Sequence, residues 1–165
     1  NTPADTEDNQ ITITAAVNYD CGFAKSYLGV HWFDNAKAVG SSSFGGDWGR
    51  MGNFKEDNGD PIHSGFGDAN GWSVMLGVDI PVGNGKVKTT LGYLDASSDN
   101  ENVSSGDVDQ DLKRFMVGAG YEYYLSKRTT VYMGAGYLQD SIDTAQGKSY
   151  DPSWVQVNCG LKHKF

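Results

Sequence analysis

Seven stretches of this chain alternate apolar and polar residues, and the connections between them alternate just as strictly between short and long. The stretches are residues 11–20, 23–33, 71–82, 86–96, 112–125, 129–139 and 154–165. Their period is two, which is that of a strand with two different faces, and no stretch carries a convincing amphipathic-helix pattern. The last is the clearest. Val155, Val157, Cys159, Leu161, His163 and Phe165 share one face, while Gln156, Asn158, Gly160, Lys162 and Lys164 share the other. Connections 20–23, 81–86 and 125–129 are short turns with Gly, Asn or Ser; connections 34–70, 97–111 and 140–152 are long and rich in Asp, Asn, Gly and Ser. A sandwich with Greek-key connections has no reason to keep that rhythm. An antiparallel barrel with turns at one mouth and loops at the other does.

The environment of that barrel follows from its outward register. Each stretch is close to the roughly 9–11 residues that a tilted strand needs to cross a bilayer, and no apolar run approaches the roughly 20 needed by a helix. Only 38% of residues are hydrophobic, which is no obstacle, because strands between lipid and water hide half their side chains in water. Outward positions include Ile11, Ile13 and Val17; Leu28 and Val30; Val74, Leu76 and Ile80; Leu91, Val117 and Met133. Aromatics gather at the two ends of these sets: Trp32, Trp72, Tyr93, Phe115 and Tyr137 at the loop side, Tyr19, Tyr123 and Phe165 at the turn side. These are candidate membrane-girdle residues. No Asp, Glu, Lys or Arg is expected on this face. The expected fold class is all-β, an antiparallel transmembrane β-barrel in the bacterial outer membrane, with lipid as a partner.

Short turns of such barrels face the periplasm. The last strand then descends, and so does the first, which places residues 1–10 outside the cell as the remnant of an extracellular loop. The polar start Asn1-Thr-Pro-Ala-Asp-Thr-Glu-Asp-Asn-Gln10 has no leader character. An even-stranded barrel keeps both termini in the periplasm, so seven strands are expected to be part of something larger, with residues 11–165 as its C-terminal strands. The net charge of −8 argues against a nucleic-acid partner. Its distribution is uneven. Asp5, Glu7, Asp8, Glu56, Asp57, Asp60, Asp99, Glu101, Asp107, Asp109 and Asp111 are expected in long polar segments, whereas most lysines and arginines sit in or beside strands and short turns.

The segment from Val117 to Tyr132, with its Tyr124-Leu-Ser-Lys-Arg-Thr129 turn, and the ending Gly160-Leu-Lys-His-Lys-Phe165 resemble the C-terminal region of Gram-negative general porins, the neisserial and betaproteobacterial branch above all. Asp79-Ile-Pro-Val-Gly-Asn-Gly-Lys-Val-Lys88 resembles a short turn of that family. The resemblance implies a sixteen-stranded, trimeric barrel in which these are the tenth to sixteenth strands. It also implies passive diffusion of small hydrophilic solutes, no cofactor and no catalysis. The first partner would be the N-terminal portion of the same porin, which carries the family's constriction loop; the mature assembly would be a homotrimer. Phe165, His163 and Leu161 become the candidate assembly signal. Cys159 departs from the aliphatic residue usual at its position.

On the inward face, Lys25, Lys86, Lys88, Arg114, Arg128, Lys162 and Lys164 are the candidate pore-lining cations. A basic wall raises the local concentration of anions, an effect weakened by salt. Gly118, Gly120, Gly134 and Gly136 also face inward, either widening the bore or relaxing strand curvature. No catalytic set emerges. His31, His63 and His163 lack metal-ligand spacing, and Gly83-Asn-Gly-Lys86 precedes no helix and is a turn. Asp57-Asn-Gly-Asp60 and Gly67-Asp-Ala-Asn-Gly71 are turn chemistry before they are cation loops. Cys21 lies at a short turn and Cys159 near mid-membrane on a distant strand, so no bridge between them is expected. Two other classes are a small outer-membrane barrel acting as an adhesin through its acidic loops, and a soluble barrel around an apolar ligand. The second requires apolar residues inward.

Overall fold

A computed structural model of the chain describes residues 9–36, 69–98, 110–144, 147 and 149–165. They form one antiparallel sheet: β1 (Ile11–Asp20), β2 (Lys25–Ala36), β3 (Ala69–Val82), β4 (Gly85–Ser98), β5 (Gln110–Tyr124), β6 (Thr129–Thr144), β7 (Ser149–Tyr150) and β8 (Ser153–His163). Each strand pairs with the next in sequence, except that β7 and β8 both pair with β6. They are one strand interrupted at Asp151 and Pro152, where the carbonyl of Pro152 accepts the Asp140 N–H at 2.9 Å. The result is seven strands' worth of sheet. β1 pairs only with β2 and β8 only with β6, so among the described residues both edges are open.

Local chemistry explains the turns. In the first, the Asp20 carboxylate accepts the Gly22 N–H at 2.9 Å and Gly22 takes φ +88°, a backbone that Gly reaches without a Cβ clash. Val82 pairs with Gly85 across the two-residue turn Gly83-Asn84, and Gly83 takes φ +60° at its first position. In the third, the Ser126 hydroxyl accepts the N–H groups of Arg128 at 3.1 Å and Thr129 at 3.0 Å.

Register puts all the expected outward residues on one face. Trp32 lies opposite Trp72, Val74 opposite Tyr93, Tyr93 opposite Phe115, Val117 opposite Tyr137, and Gly85 opposite Tyr123. Tyr19 joins them through Ser26. Within that face Ile13, Val17, Leu28, Leu76, Leu91, Val117, Met133 and Val157 are exposed. Such an uncovered apolar surface is far larger than a water-soluble protein tolerates.

The strands run further toward the loop end than the alternation suggests, and the polarity of their faces inverts as they do so. Beyond Trp32 comes Asp34, beyond Tyr93 comes Asp95, beyond Tyr137 comes Gln139, and Phe115 is preceded by Lys113. On the opposite face at this end, Phe33, Ala36, Ala69, Leu94, Ala96, Leu112 and Ile142 are buried together. The aromatic row is thus the line where one face changes from apolar to polar and the other does the reverse.

The expected loop 140–152 is corrected accordingly: β6 continues to Thr144 and β7 pairs with it. Asp140, which looks like a loop residue, is fully buried and ion-paired, and Ile142 joins the apolar cluster. β2 continues past Phe33 through a bulge in which Asn35 takes φ +52° and its N–H donates to the Asn70 side chain at 2.8 Å. Of the expected loop remnant at residues 1–10, residues 1–8 lie outside the described residues, as does the Asp57–Asp60 segment.

Candidate functional site: the polar face

Lys25, Lys86, Lys88, Arg114 and Lys162 fall on the second face by register, but they have different surroundings. Lys25 sits 5.5 Å over the Tyr27 ring. Lys86 Nζ lies 3.1 Å from Asp79 and 3.9 Å from Glu122, and Lys88 lies 3.3 Å from Glu122. The Tyr27 hydroxyl also reaches Asp79 at 3.5 Å. A chain of alternating charges therefore crosses β2 to β5 near the short turns. Asp79 and Glu122 were not among the residues singled out from sequence. The signal was available: both sit at inward parity, in strands beside the Lys86-Val-Lys88 pair.

Arg114 is held differently. Its Nε and Nη2 donate to the two carboxylate oxygens of Asp140 at 2.6 and 2.7 Å, and Trp154 lies 5.5 Å from the guanidinium. Only 4% of Arg114 and none of Asp140 is exposed. A bidentate fork, two charge-assisted hydrogen bonds and an aromatic face account for a buried charge at this position. Arg114 consequently brings no net charge of its own to this wall.

Arg128, Lys162 and Lys164 stay together at the short-turn end. Lys162 lies opposite Thr130, and the Lys164 N–H donates to the Arg128 carbonyl at 2.9 Å. Together with Lys127 they line a recess of about 480 Å³. Next along the wall is a bare patch. Gly118 pairs with Gly136 and Gly120 with Gly134, and these four border a second hollow of about 410 Å³ flanked by Lys88, Gln156 and Asn158.

The two readings of these glycines divide by position. A Cβ on Gly120 would sit 2.9 Å from the Met133 carbonyl oxygen, so the backbones approach too closely for a side chain. At Gly136 the nearest atom would be 3.6 Å away, so the absent side chain there opens space. Gly120→Ala is expected to destabilise the fold by about 1–3 kcal/mol, and Gly136→Ala to be tolerated; denaturant unfolding of both variants in detergent checks the contrast.

The remaining named residues are placed as follows. The Tyr19, Trp32, Trp72, Phe115, Tyr123 and Tyr137 side chains are exposed on the apolar face, and Trp72 packs against Tyr93 with ring centres 5.6 Å apart. His163 Nδ1 is 2.9 Å from the Thr129 hydroxyl, and its ring meets Phe165 edge-on at 4.9 Å. Leu161 lies opposite Val131 on the apolar face. Cys21 and Cys159 are both free thiols. Among the described residues no group of three or more His, Cys, Asp or Glu could hold a metal ion.

An apolar face without charge between two aromatic rows, backed by a polar face of paired and unpaired ions, suits a wall between lipid and water. Comparison with curated proteins gave no match, and neither did comparison with solved structures. A family model described as Gram-negative porin matches residues 1–143, from the start of the chain to near the end of β6. A match over most of the sequence, on a sheet with these two faces, establishes that the chain belongs to the Gram-negative porin family.

Proposed function

We propose that this chain forms one side of a passive diffusion channel for small hydrophilic solutes in the outer membrane, with a preference for anions. The observation that carries the proposal is the division of one continuous sheet into an exposed apolar face and a polar face whose cations outnumber its carboxylates. Lys86, Lys88 and Arg114 are answered by Asp79, Glu122 and Asp140, whereas among the described residues no ion pair joins Arg128, Lys162 or Lys164 to a carboxylate. The anion preference therefore rests on the second group, at the turn end of the wall.

The pore needs more sheet than these strands supply. β1 and β8 run in the same direction, since five strands alternate between them. They cannot close on each other as an antiparallel pair, and open edges are not stable in lipid. Closure takes an odd number of further strands, whose two outermost members run opposite to β1 and β8. A second copy in the same membrane orientation would offer strands of the wrong direction. The N-terminal portion of the same porin, with nine strands in a sixteen-stranded barrel of the neisserial type, satisfies the parity, and three such barrels would make the trimer.

Two measurements on the unheated, detergent-purified particle test this reading. Mass spectrometry is expected to find a companion polypeptide, and planar bilayers are expected to give stepwise conductance with a reversal potential on the anion side. The preference should be stronger at 0.1 M salt, where the Debye length is about 10 Å, than at 1 M, where it is about 3 Å. A particle holding this chain alone and passing no current would overturn the channel and return the acidic-loop adhesin as the better account.

A further inference from the structure

Four cations converge at the short-turn end of the polar face, and their backbones are fixed from three directions. Lys127, Arg128, Lys162 and Lys164 share the recess of about 480 Å³ with Glu122 and Tyr132. The turn between β5 and β6 that carries Lys127 and Arg128 is pinned by the Ser126 hydroxyl. β8, which carries Lys162, is paired along β6, and the Lys164 N–H is bonded to the Arg128 carbonyl. The neighbouring β3–β4 turn is clipped to the end of β5, where the Tyr124 N–H donates to the Asn84 carbonyl at 2.9 Å and the Asn84 side chain donates to the Tyr124 carbonyl. Among the described residues Glu122 is the one carboxylate lining the recess, and it is engaged by Lys88 and Lys86.

Charge and shape narrow the ligand. Lys162 and Lys164 are two residues apart on one face, so their Cα atoms are separated by about 6.6 Å. A single carboxylate would answer one of these charges and leave the others repelling. A multivalent oxyanion can meet several at once, and the planar fork of Arg128 matches the oxygens of a phosphoryl group. The Tyr132 and Thr130 hydroxyls line the same wall and can donate to such oxygens. The volume is within the usual range for small-molecule sites and exceeds that of one hydrated phosphate.

We propose that this recess binds a compact multivalent oxyanion of the inorganic phosphate or pyrophosphate class, held by Arg128, Lys162 and Lys164 at the short-turn mouth of the pore. The site deepens the anion-channel reading and rests on it for its place in transport. It concentrates the attraction at one mouth, while the rest of the wall stays close to neutral through the Asp79, Glu122 and Asp140 pairs. An anion leaving the pore on that side would pause there.

Calorimetric titration of the intact detergent-purified particle with inorganic pyrophosphate at low salt tests the site without relying on current. The expected result is saturable binding that weakens as salt rises. The double variant Lys162→Gln/Lys164→Gln should weaken it by about tenfold or more. Lys113→Gln, opposite Asp95 beyond the aromatic row at the other end of β5, should leave it unchanged. Should the double variant fail to fold, Arg128→Lys gives the same information: it keeps the charge, loses the fork and should weaken binding alone. No binding by the unaltered particle, or undiminished binding by the folded variants, overturns the site. Conductance on the same sample separates the two readings. Current without pyrophosphate binding leaves the channel and removes the site; binding without current leaves the site and removes the channel.

Discussion

Asp140→Ala is expected to destabilise the particle by about 3–5 kcal/mol. Arg114 donates both arms of its fork to this carboxylate and is itself almost wholly buried. Removing Asp140 takes away the carboxylate that accepts both arms of a buried guanidinium, at a strand position flanked by the buried Leu112, Leu138 and Ile142, and a buried charge that loses its counter-charge bears more of its desolvation penalty. Arg114→Ala should cost about as much for the mirror-image reason. The double change Arg114→Met/Asp140→Leu, apolar and similar in volume, should recover most of the loss, because replacing both members of a buried pair is often neutral or better. Denaturant unfolding of the four proteins in one detergent gives the cycle. A loss under about 1 kcal/mol for Asp140→Ala would mean that water reaches the pair, as for surface salt bridges, and would undo the apolar character assigned to this end of the polar face.

Leu91→Arg is the second large effect, expected to cost about 2–4 kcal/mol for folding into a bilayer. Leu91 lies opposite Leu76 on one side and Val117 on the other, at the centre of the apolar face, and it is 47% exposed. In water an exposed arginine there would cost almost nothing. In hydrocarbon it must be pulled toward an interface or hydrated by a local defect. Gln156→Arg provides the contrast. Gln156 lies opposite Gly136 on the polar face and borders the glycine hollow, so a cation at this position meets water and should cost little. Equilibrium folding into vesicles of fixed lipid thickness, measured for both variants, distinguishes the faces. Equal costs for the two would show that the apolar face does not meet lipid.

Alternation made much of the fold legible. Period two is a local property: each residue's side is set by its neighbours in the chain, so the face of Leu91, Trp72 or Lys88 can be counted without knowing what pairs with what. The turns were legible for a similar reason. Gly22, Gly83 and Ser126 each act within a few residues, through backbone freedom or a short hydrogen bond. The extension of β6 was less so. Asp140 and Ser141 have loop composition, and only the arginine of another strand makes a buried aspartate there affordable. The inversion of polarity beyond the aromatic row was present in the sequence as Phe33-Asp34, Leu94-Asp95 and Leu112-Lys113. It reads as the end of a strand to anyone expecting one face to stay apolar throughout.

The sequence by itself determined the number of strands, the face each side chain takes, the ends at which aromatics gather and the resemblance that pointed to a porin. Those properties depend on neighbours within a few residues, or on which side of a pleat a residue falls. Only the tertiary structure decided which cations are neutralised. Arg114 meets Asp140 from 26 residues away and Lys88 meets Glu122 across a strand boundary, while Arg128, Lys162 and Lys164 gather around one recess whose carboxylate, Glu122, is engaged by Lys86 and Lys88. Charge pairing falls off with distance in space, and distance in space between strands is set by their register, which alternation alone does not specify.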